Sequence, residues 1–430
     1  MCQSRIKLFD KSLIEHIACT TGFMKRQCKK IDPSDFIVGF MFCFCKRNNT
    51  YSEWAEQTGR LDGTVISKQA LCKRITEETV AFSKELLEKT VAYKVSPCLK
   101  FSLFSHFKKV ILQDSTTLQL PDCLSGSFPG NRTNGVQKAI ARVQTYLDIK
   151  SMQFLHFSLS GFTRNDQAAS GDIIDYCSKG DLVIRDLGYF ATGVFEKLIK
   201  EGVHVLSRLR FGVKIYDLNG KEISLRALLK PGTAIDRWVL IGEKKLRVRL
   251  LMLPLPEKIA AAKKRKAKND RDKRLHHSKL YYQWLKYNVY ITTADKKTWT
   301  TQEVQDAYKV RWQIEIVFKS WKTGLSMEDM IHDRCTNEYR VSTCIYLMLL
   351  FITLLVKNVF MPALQMSIRK EKQCAVSLIK LLKWVSKNFT EIIYMPFEKL
   401  HEHIMKKCCY EKRNKRGNMI LTLLNHQIKS

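Results

Sequence analysis

The chain has 430 residues, 45% hydrophobic and 27% charged, the balance of a globular protein, which excludes a disordered tail or a low-complexity polymer. Its 73 Lys and Arg against 41 Asp and Glu leave a net charge of +32, which points to a polyanionic partner, either nucleic acid or an anionic membrane surface. The most apolar run, CIYLMLLFITLLV at residues 344–356, is shorter than the roughly 20 residues that span a bilayer, so it reads as a buried core helix and no membrane partner is expected.

Residues 1–100 read as helical and basic, with no secretory signal at the N-terminus. Within them, YSEWAEQTGRLDGTVISKQALCKRI gives a helix up to about Gly59, breaks at Gly59 and Gly63, and a second helix capped by Ser67. That second helix carries Lys68, Gln69, Lys73 and Arg74, the candidates for DNA recognition if the pair is a helix-turn-helix. The alternative is an ordinary bundle with a solvated basic face. From about residue 106 the pattern turns to strands. HFKKVILQDSTTLQLP contains a compact apolar run, and AIARVQTYLDIKS and MQFLHFSLSGF alternate or run apolar at strand length. CLSGSFPGNRTNG, between the first two, is a Gly/Ser/Pro loop that lacks the Gly-Lys-Ser/Thr of a nucleotide phosphate loop.

DQAASGDIIDYCSKG reads as helical, DLVIRDLGYF as a short strand ending in Asp186, and ATGVFEKLIKEG as an amphipathic helix, an order that gives a mixed α/β sheet with helices packed on it. Residues 203–292 form a β-rich block in which extended runs flank an Asn219-Gly220 turn, a hairpin signal. The basic, helix-prone KIAAAKKRKAKNDRDKRLHHSKLYYQWL follows, read as a solvated face or a phosphate contact more than a targeting signal, and its adjacent His276 and His277 read as surface residues. KYNVYITTAD is a last strand, TTQEVQDAYKVRWQIEIVFKSWKTG a long helix, and the remainder is helical and apolar before a basic tail. The 14 cysteines are scattered without a CxxC pair, which favours reduced thiols in a cytoplasmic compartment over disulfides or a zinc site.

The chemistry concentrates in residues 308–322. At about 100° per residue, Tyr308, Arg311, Glu315 and Lys322 fall at roughly 0°, 300°, 340° and 320°, nearly opposite the apolar Val310, Ile314, Val317 and Trp321. Such a helix docks by one side and presents a hydroxyl, two cations and a carboxylate on the other. A salt-bridged amphipathic helix shows the same pattern, because Arg311 and Glu315 are an i,i+4 pair. Asp114 and Asp186 each follow an apolar strand, where a sheet offers side chains to a cleft. Asp148 follows a strand too and competes with Asp114, whereas Asp166, Asp175 and Asp181 read as solvated or capping. Two strand-end acids and a helical one in so basic a chain suit hard cations such as Mg²⁺, which take carboxylate oxygens and serve phosphodiester displacement in pairs.

Tyr308-x2-Arg311-x3-Glu315-x6-Lys322 matches the Y-R-E-K signature, and with QDST at Asp114 and RDLGYF at Asp186 the chain resembles the DDE insertion-sequence transposases of the group typified by insertion sequence four. The resemblance covers about residues 105–345. It implies a ribonuclease H-like mixed sheet with helices on both faces, interrupted by a β-rich insertion and flanked by helical terminal regions, with Asp114 on the first strand and Asp186 at the end of the fourth. The implied segments are a DNA-binding region at 1–100, the catalytic core at 101–202 and 293–335, the insertion at 203–292, and a helical region at 336–430 that pairs protomers.

By the same resemblance, Asp114, Asp186 and Glu315 are the catalytic metal ligands for two Mg²⁺ ions, with Mn²⁺ able to substitute. Tyr308, Arg311 and Lys322 grip DNA phosphates. The implied activity is cleavage at transposon ends through a hairpin and strand transfer to target DNA, by a homodimer acting on double-stranded terminal inverted repeats. Hairpin formation needs an aromatic to stack a flipped base; the family's usual tryptophan falls at Asn288, leaving Trp284, Tyr287 or Trp299. Two other readings stay open: an inactive or domesticated DNA-binding descendant, and a two-metal endonuclease that never joins strands.

Overall fold

The apolar run before Asp114 opens strand β1 (Val110–Leu120), whose first residues are fully buried. The computed structural model describes residues 10–25, 31–93, 99, 101–269, 277–331, 335–370 and 375–410. After β1 come β2 (Pro129–Thr133), β3 (Val136–Asp148), β4 (Gln153–Gly161), β5 (Leu182–Arg185), β6 (His204–Arg208), β7 (Ile215–Tyr216), β8 (Ile235–Ile241), β9 (Leu246–Pro254) and β10 (Tyr287–Thr292). Two compact units form: Met1–Phe101, Ser115–Arg164 and Gln313–Ser430 make the first, Ser102–Asp114 and Asn165–Trp312 the second. Strand β1 divides between them after Asp114.

In the first unit, β1 neighbours β3, and β3 pairs antiparallel with β2 and with β4. The segment read as a loop holds β2, because Asn134 and Gly135 both adopt positive φ (52° and 79°) and close a two-residue hairpin. Helices Glu77–Ala92 and Glu338–Leu355 pack on each other and on β4. The latter belongs to a continuous helical stretch, Glu338–Ser367, long and apolar enough to cross a membrane by length and composition, but 94% of its most apolar window is buried inside the protein. A helix apolar on all sides belongs in a core once neighbours cover every face. Within it a π-helical turn, Val356–Phe360, presents buried Lys357, whose Nζ donates to the carbonyls of Thr90, Val91 and Tyr93 and so caps the end of Glu77–Ala92. Burial pushes that amine down to about 8.

In the second unit, β1 runs parallel to β5 and β5 parallel to β6; β10, β9, β8 and β7 follow, each antiparallel to the one before. The order β4-β3-β1-β5-β6 is the ribonuclease H-like arrangement, and β10, β9, β8 and β7 continue the sheet beyond β6. Asp186 follows the fifth strand in chain order, not the fourth, because β2 adds one. The insertion's main hairpin joins β8 to β9 through Gly242, with φ 68°. At Asn219-Gly220 the chain also turns, but Asp217 Oδ1 accepts the N–H of Asn219 and of Lys221 (3.0 and 2.9 Å), and the flanks make only a Tyr216–Glu222 bridge. A side-chain-closed turn of this kind needs no long ladder.

Two expected helices differ. Residues 166–180 contain only a 3₁₀ stretch, Ser170–Tyr176, and the carbonyls of Ala169 and Ser170 accept from the side chains of Gln113 and Arg185 rather than continuing a helix. The signature helix is not continuous: Thr301–Lys309 ends, Val310 and Arg311 tighten into i→i−3 bonds, and a new helix runs Trp312–Lys319 into a π-helical turn, Ser320–Gly324. The single stripe drawn at 100° per residue therefore does not exist as one helical face.

Candidate active site

The parallel register of β1 and β5 pairs Gln113 with Arg185, so the next residue on each strand is an acid. Asp186 thus emerges at the C-terminal end of β5, whereas Asp114 stands beside it within β1, where the parallel pairing stops although the strand runs on to Leu120, so only Asp186 is the strand-end acid the sequence suggests. Arg311, at the break between two helices, lies between them: its Nη1 is 3.5 Å from Asp114 Oδ2 and its Nε 3.7 Å from Asp186 Oδ1. Arg311 and Asp114 are largely covered (side chains 11% and 18% exposed), whereas Asp186 is 42% exposed and faces solvent.

Tyr308 closes the cluster. Helix Thr301–Lys309 starts at a capping box, in which Thr300 Oγ1 accepts from Glu303 N–H while Glu303 accepts from Thr300, and it packs on β6. Its last turn brings the Tyr308 hydroxyl to 3.3 Å from Asp186 Oδ1, to which it donates, with its ring 5.0 Å from that of Tyr290. Burial first, and the Asp186 charge second, push the phenol well above its ordinary value, so it stays a donor.

The other signature residues lie in the first unit. Glu315 is partly buried on the first turn of Trp312–Lys319. Lys322 sits in the π-helical turn, donates to Thr117 O at 2.7 Å and pairs with Glu328 at 2.9 Å. Among the described residues, no group of three or more His, Cys, Asp or Glu side chains is arranged to hold a metal ion. The aspartate pair does fit one by chemistry: two carboxylates from adjacent strands already share one guanidinium, and oxygen donors of that kind are what Mg²⁺ takes.

The stacking candidates are all buried. Trp299 is 1% exposed and its indole N–H donates to Leu103 O at 2.8 Å; Trp284 packs edge-on against Phe211; the Tyr287 hydroxyl donates to Lys230 O. Asn288 accepts from Lys263 Nζ at 2.9 Å, an amine pushed down to about 8 by burial and then by Arg208. Trp312, the chain neighbour of Arg311, is by contrast 57% exposed, with the Arg311 guanidinium 5.7 Å from its ring.

In the N-terminal region, Ser67 Oγ accepts from Ala70 N–H as expected, and Lys68, Gln69 and Lys73 are exposed. Arg74 is only partly so, lying 4.3 Å over the ring of Phe23. The competing acids have other work. Buried Asp148 accepts from Ser151 Oγ and Lys150 N–H, and buried Asp181 accepts from Ser178 and Lys109 N–H while pairing with the Lys109 amine. Asp166 accepts from the Tyr189 hydroxyl at 3.1 Å.

The two aspartates and the whole signature fall within residues 105–354, which match the family profile of the transposase DDE domain. The chain belongs to the DDE transposase family. It is an enzyme of DNA transposition, with the nuclease and strand-transferase activity that defines such enzymes, and membership implies a divalent metal. Similar curated proteins are the transposase for insertion sequence element IS231F of Bacillus thuringiensis subsp. israelensis, 28% identical over 93% of this chain and 90% of that one, and the transposase for insertion sequence element IS1151 of Clostridium perfringens, 27% identical over 73% and 72%. Of solved structures, a cryo-EM piggyBac transposase synaptic complex with hairpin DNA matches 96% of this chain and 86% of that one, with 8% identity and a TM-score of 0.45.

Proposed function

We propose that this transposase cuts DNA at the terminal inverted repeats of its element and joins the freed ends to a target, with Asp114, Asp186 and Glu315 as metal ligands. The observation that carries the reading is the pair Asp114 and Asp186, side by side on parallel strands and sharing Arg311. A divalent cation bound there would polarise the phosphate and make the attacking oxygen a stronger nucleophile. The chain supplies the rest. Arg311 and Lys322 meet phosphate oxygens as their carboxylate and carbonyl partners give way, and the Tyr308 hydroxyl fixes the orientation of Asp186. Trp312 is the aromatic offered to a flipped base, which supports the hairpin route. Lys68, Gln69 and Lys73 read the inverted repeat, two protomers hold two ends, and the enzyme works in a bacterial cytoplasm.

The test is a coupled cleavage and joining assay on DNA carrying the element's ends, with Mg²⁺, with Mn²⁺, and with Ca²⁺ as a binding-only control. Wild type should cut and join, whereas Asp186→Asn and Glu315→Gln should bind without cutting. Binding with no cutting by wild type would favour a DNA-binding descendant. Hydrolysis without strand transfer from a pre-cut 3′-hydroxyl end would leave only an endonuclease.

A further inference from the structure

Gln113 and Arg185, opposite each other in the β1–β5 register, are both fully buried. Arg185 Nε donates to Gln113 Oε1 at 3.0 Å, and Nη2 donates to the same oxygen and to Ser170 O. The other end of the amide is used as well, since Gln113 Nε2 donates to Ala169 O at 3.1 Å. Ser170 Oγ donates in turn to Tyr189 O at 2.9 Å, and the guanidinium lies 5.6 and 5.9 Å from the rings of Tyr189 and Phe195. The network thus ties together the two strands, the 3₁₀ segment before β5 and the turn after it.

A buried guanidinium is a permanent charge that an apolar residue could replace if packing alone were needed. Its place is informative. Strand alternation sends Gln113 and Arg185 to the face opposite Asp114 and Asp186, and a one-residue slip of either strand would send its acid to the wrong face. The amide accepts from the neighbouring strand and donates to the segment beneath, so it fixes the height of one strand against the other.

We propose that Gln113 and Arg185 are positioning residues that set the relative height of Asp114 and Asp186, and so the carboxylate separation offered to a divalent cation. This rests on the reading of that acid pair as metal ligands. Neither residue touches DNA or metal; both act through the two acids.

The test uses the full-length protein bound to DNA carrying the element's ends. Mn²⁺ affinity is read by calorimetry, together with the Mg²⁺ midpoint for end cleavage and DNA affinity in Ca²⁺. Gln113→Leu should weaken Mn²⁺ binding by about 10- to 100-fold and raise the Mg²⁺ midpoint in step, leaving DNA affinity in Ca²⁺ unchanged. Gln113→Glu, which keeps the acceptor for Arg185 but loses the N–H donated to Ala169 O, should bind Mn²⁺ more tightly than Gln113→Leu and more weakly than wild type. If Gln113→Leu does not fold, Arg185→Lys, which keeps the charge but loses the fork, is read in the same way. Wild-type Mn²⁺ affinity in Gln113→Leu, or a Glu variant as weak as the Leu variant, overturns the proposal. Asp186→Asn runs alongside. Cleavage by that variant would overturn the reading of the acid pair itself, whereas loss of its cleavage together with unmoved Mn²⁺ binding in Gln113→Leu overturns the positioning role alone.

Discussion

The hydroxyl of Tyr308 donates to Asp186 Oδ1 at 3.3 Å, joining the signature segment to the second acidic block through one hydrogen bond. The family resemblance implies phosphate binding for Tyr308, whereas its side chain is buried and faces an acid. Tyr308→Phe should therefore lower end cleavage by about 10- to 100-fold with a raised Mg²⁺ midpoint, while affinity for end DNA in Ca²⁺ holds. A variant that loses DNA affinity and keeps its metal midpoint would assign the hydroxyl to phosphate instead.

Arg249 and Asp236 tie the inserted hairpin to the start of the helix bearing Tyr308. Arg249 Nε and Nη2 donate to the two carboxylate oxygens at 2.8 and 2.7 Å, and Thr301 Oγ1 donates to Oδ2 at 2.7 Å. Hydrogen bonding from Arg249, aided by Thr301 and opposed by burial, holds this carboxyl below its ordinary range. A depressed carboxylate pKa adds stability that is complete above the unfolded value, about 3.9, and is lost as pH falls through the folded value. In urea titrations the gap between wild type and Asp236→Asn should be widest near neutral pH and shrink below about pH 4. Arg249→Ala should lose about 1–3 kcal/mol, since it removes two charge-assisted hydrogen bonds from an acid that keeps Thr301 as a donor.

Two tryptophans should separate cleanly. Trp299, at 1% exposure and bonded to Leu103 O, belongs to the core, and Trp299→Ala should destabilise by about 3–5 kcal/mol. Trp312, at 57% exposure, should tolerate Ala with an unchanged melting temperature but slow the appearance of hairpin ends on denaturing gels, by the about 1–3 kcal/mol that base stacking supplies. A normal hairpin rate in Trp312→Ala would remove it as the stacking group.

In the N-terminal region, exposed Lys73 and buried-side Arg74 differ by one position. Lys73→Ala should weaken end binding and reduce the salt slope by about 1. Arg74→Ala should instead lower the melting temperature, because its guanidinium covers the Phe23 ring at 4.3 Å. The reverse pattern would put Arg74 on the DNA.

Much of this architecture is legible in the residues. The apolar runs leading into Asp114 and Asp186 announce themselves because a buried parallel strand is a short continuous apolar run, although β1 continues to Leu120 through polar residues that hid its length, and Ser67 and Thr300 mark helix starts through ordinary capping chemistry. The break at Val310 and Arg311 is not legible, since neither Gly nor Pro marks it. Periodicity draws one stripe there, while burial of Val310 and pairing of Arg311 with two acids require two helices. Gln113 and Arg185 did carry a signal, a polar residue closing each apolar run of VILQ and LVIR, but which face a strand residue takes depends on pairing that the sequence does not display.

On the proposed function, Asp114, Asp186 and Glu315 together hold the divalent ions when DNA is bound. Anomalous diffraction from Mn²⁺ in crystals of the complex with element-end DNA tests it most directly. The account predicts a Mn²⁺ peak with oxygens of both aspartates at about 2.1 Å and Glu315 on the same ion or its neighbour. Mn²⁺ held without either aspartate, or with Glu315 turned away from every ion, would contradict it.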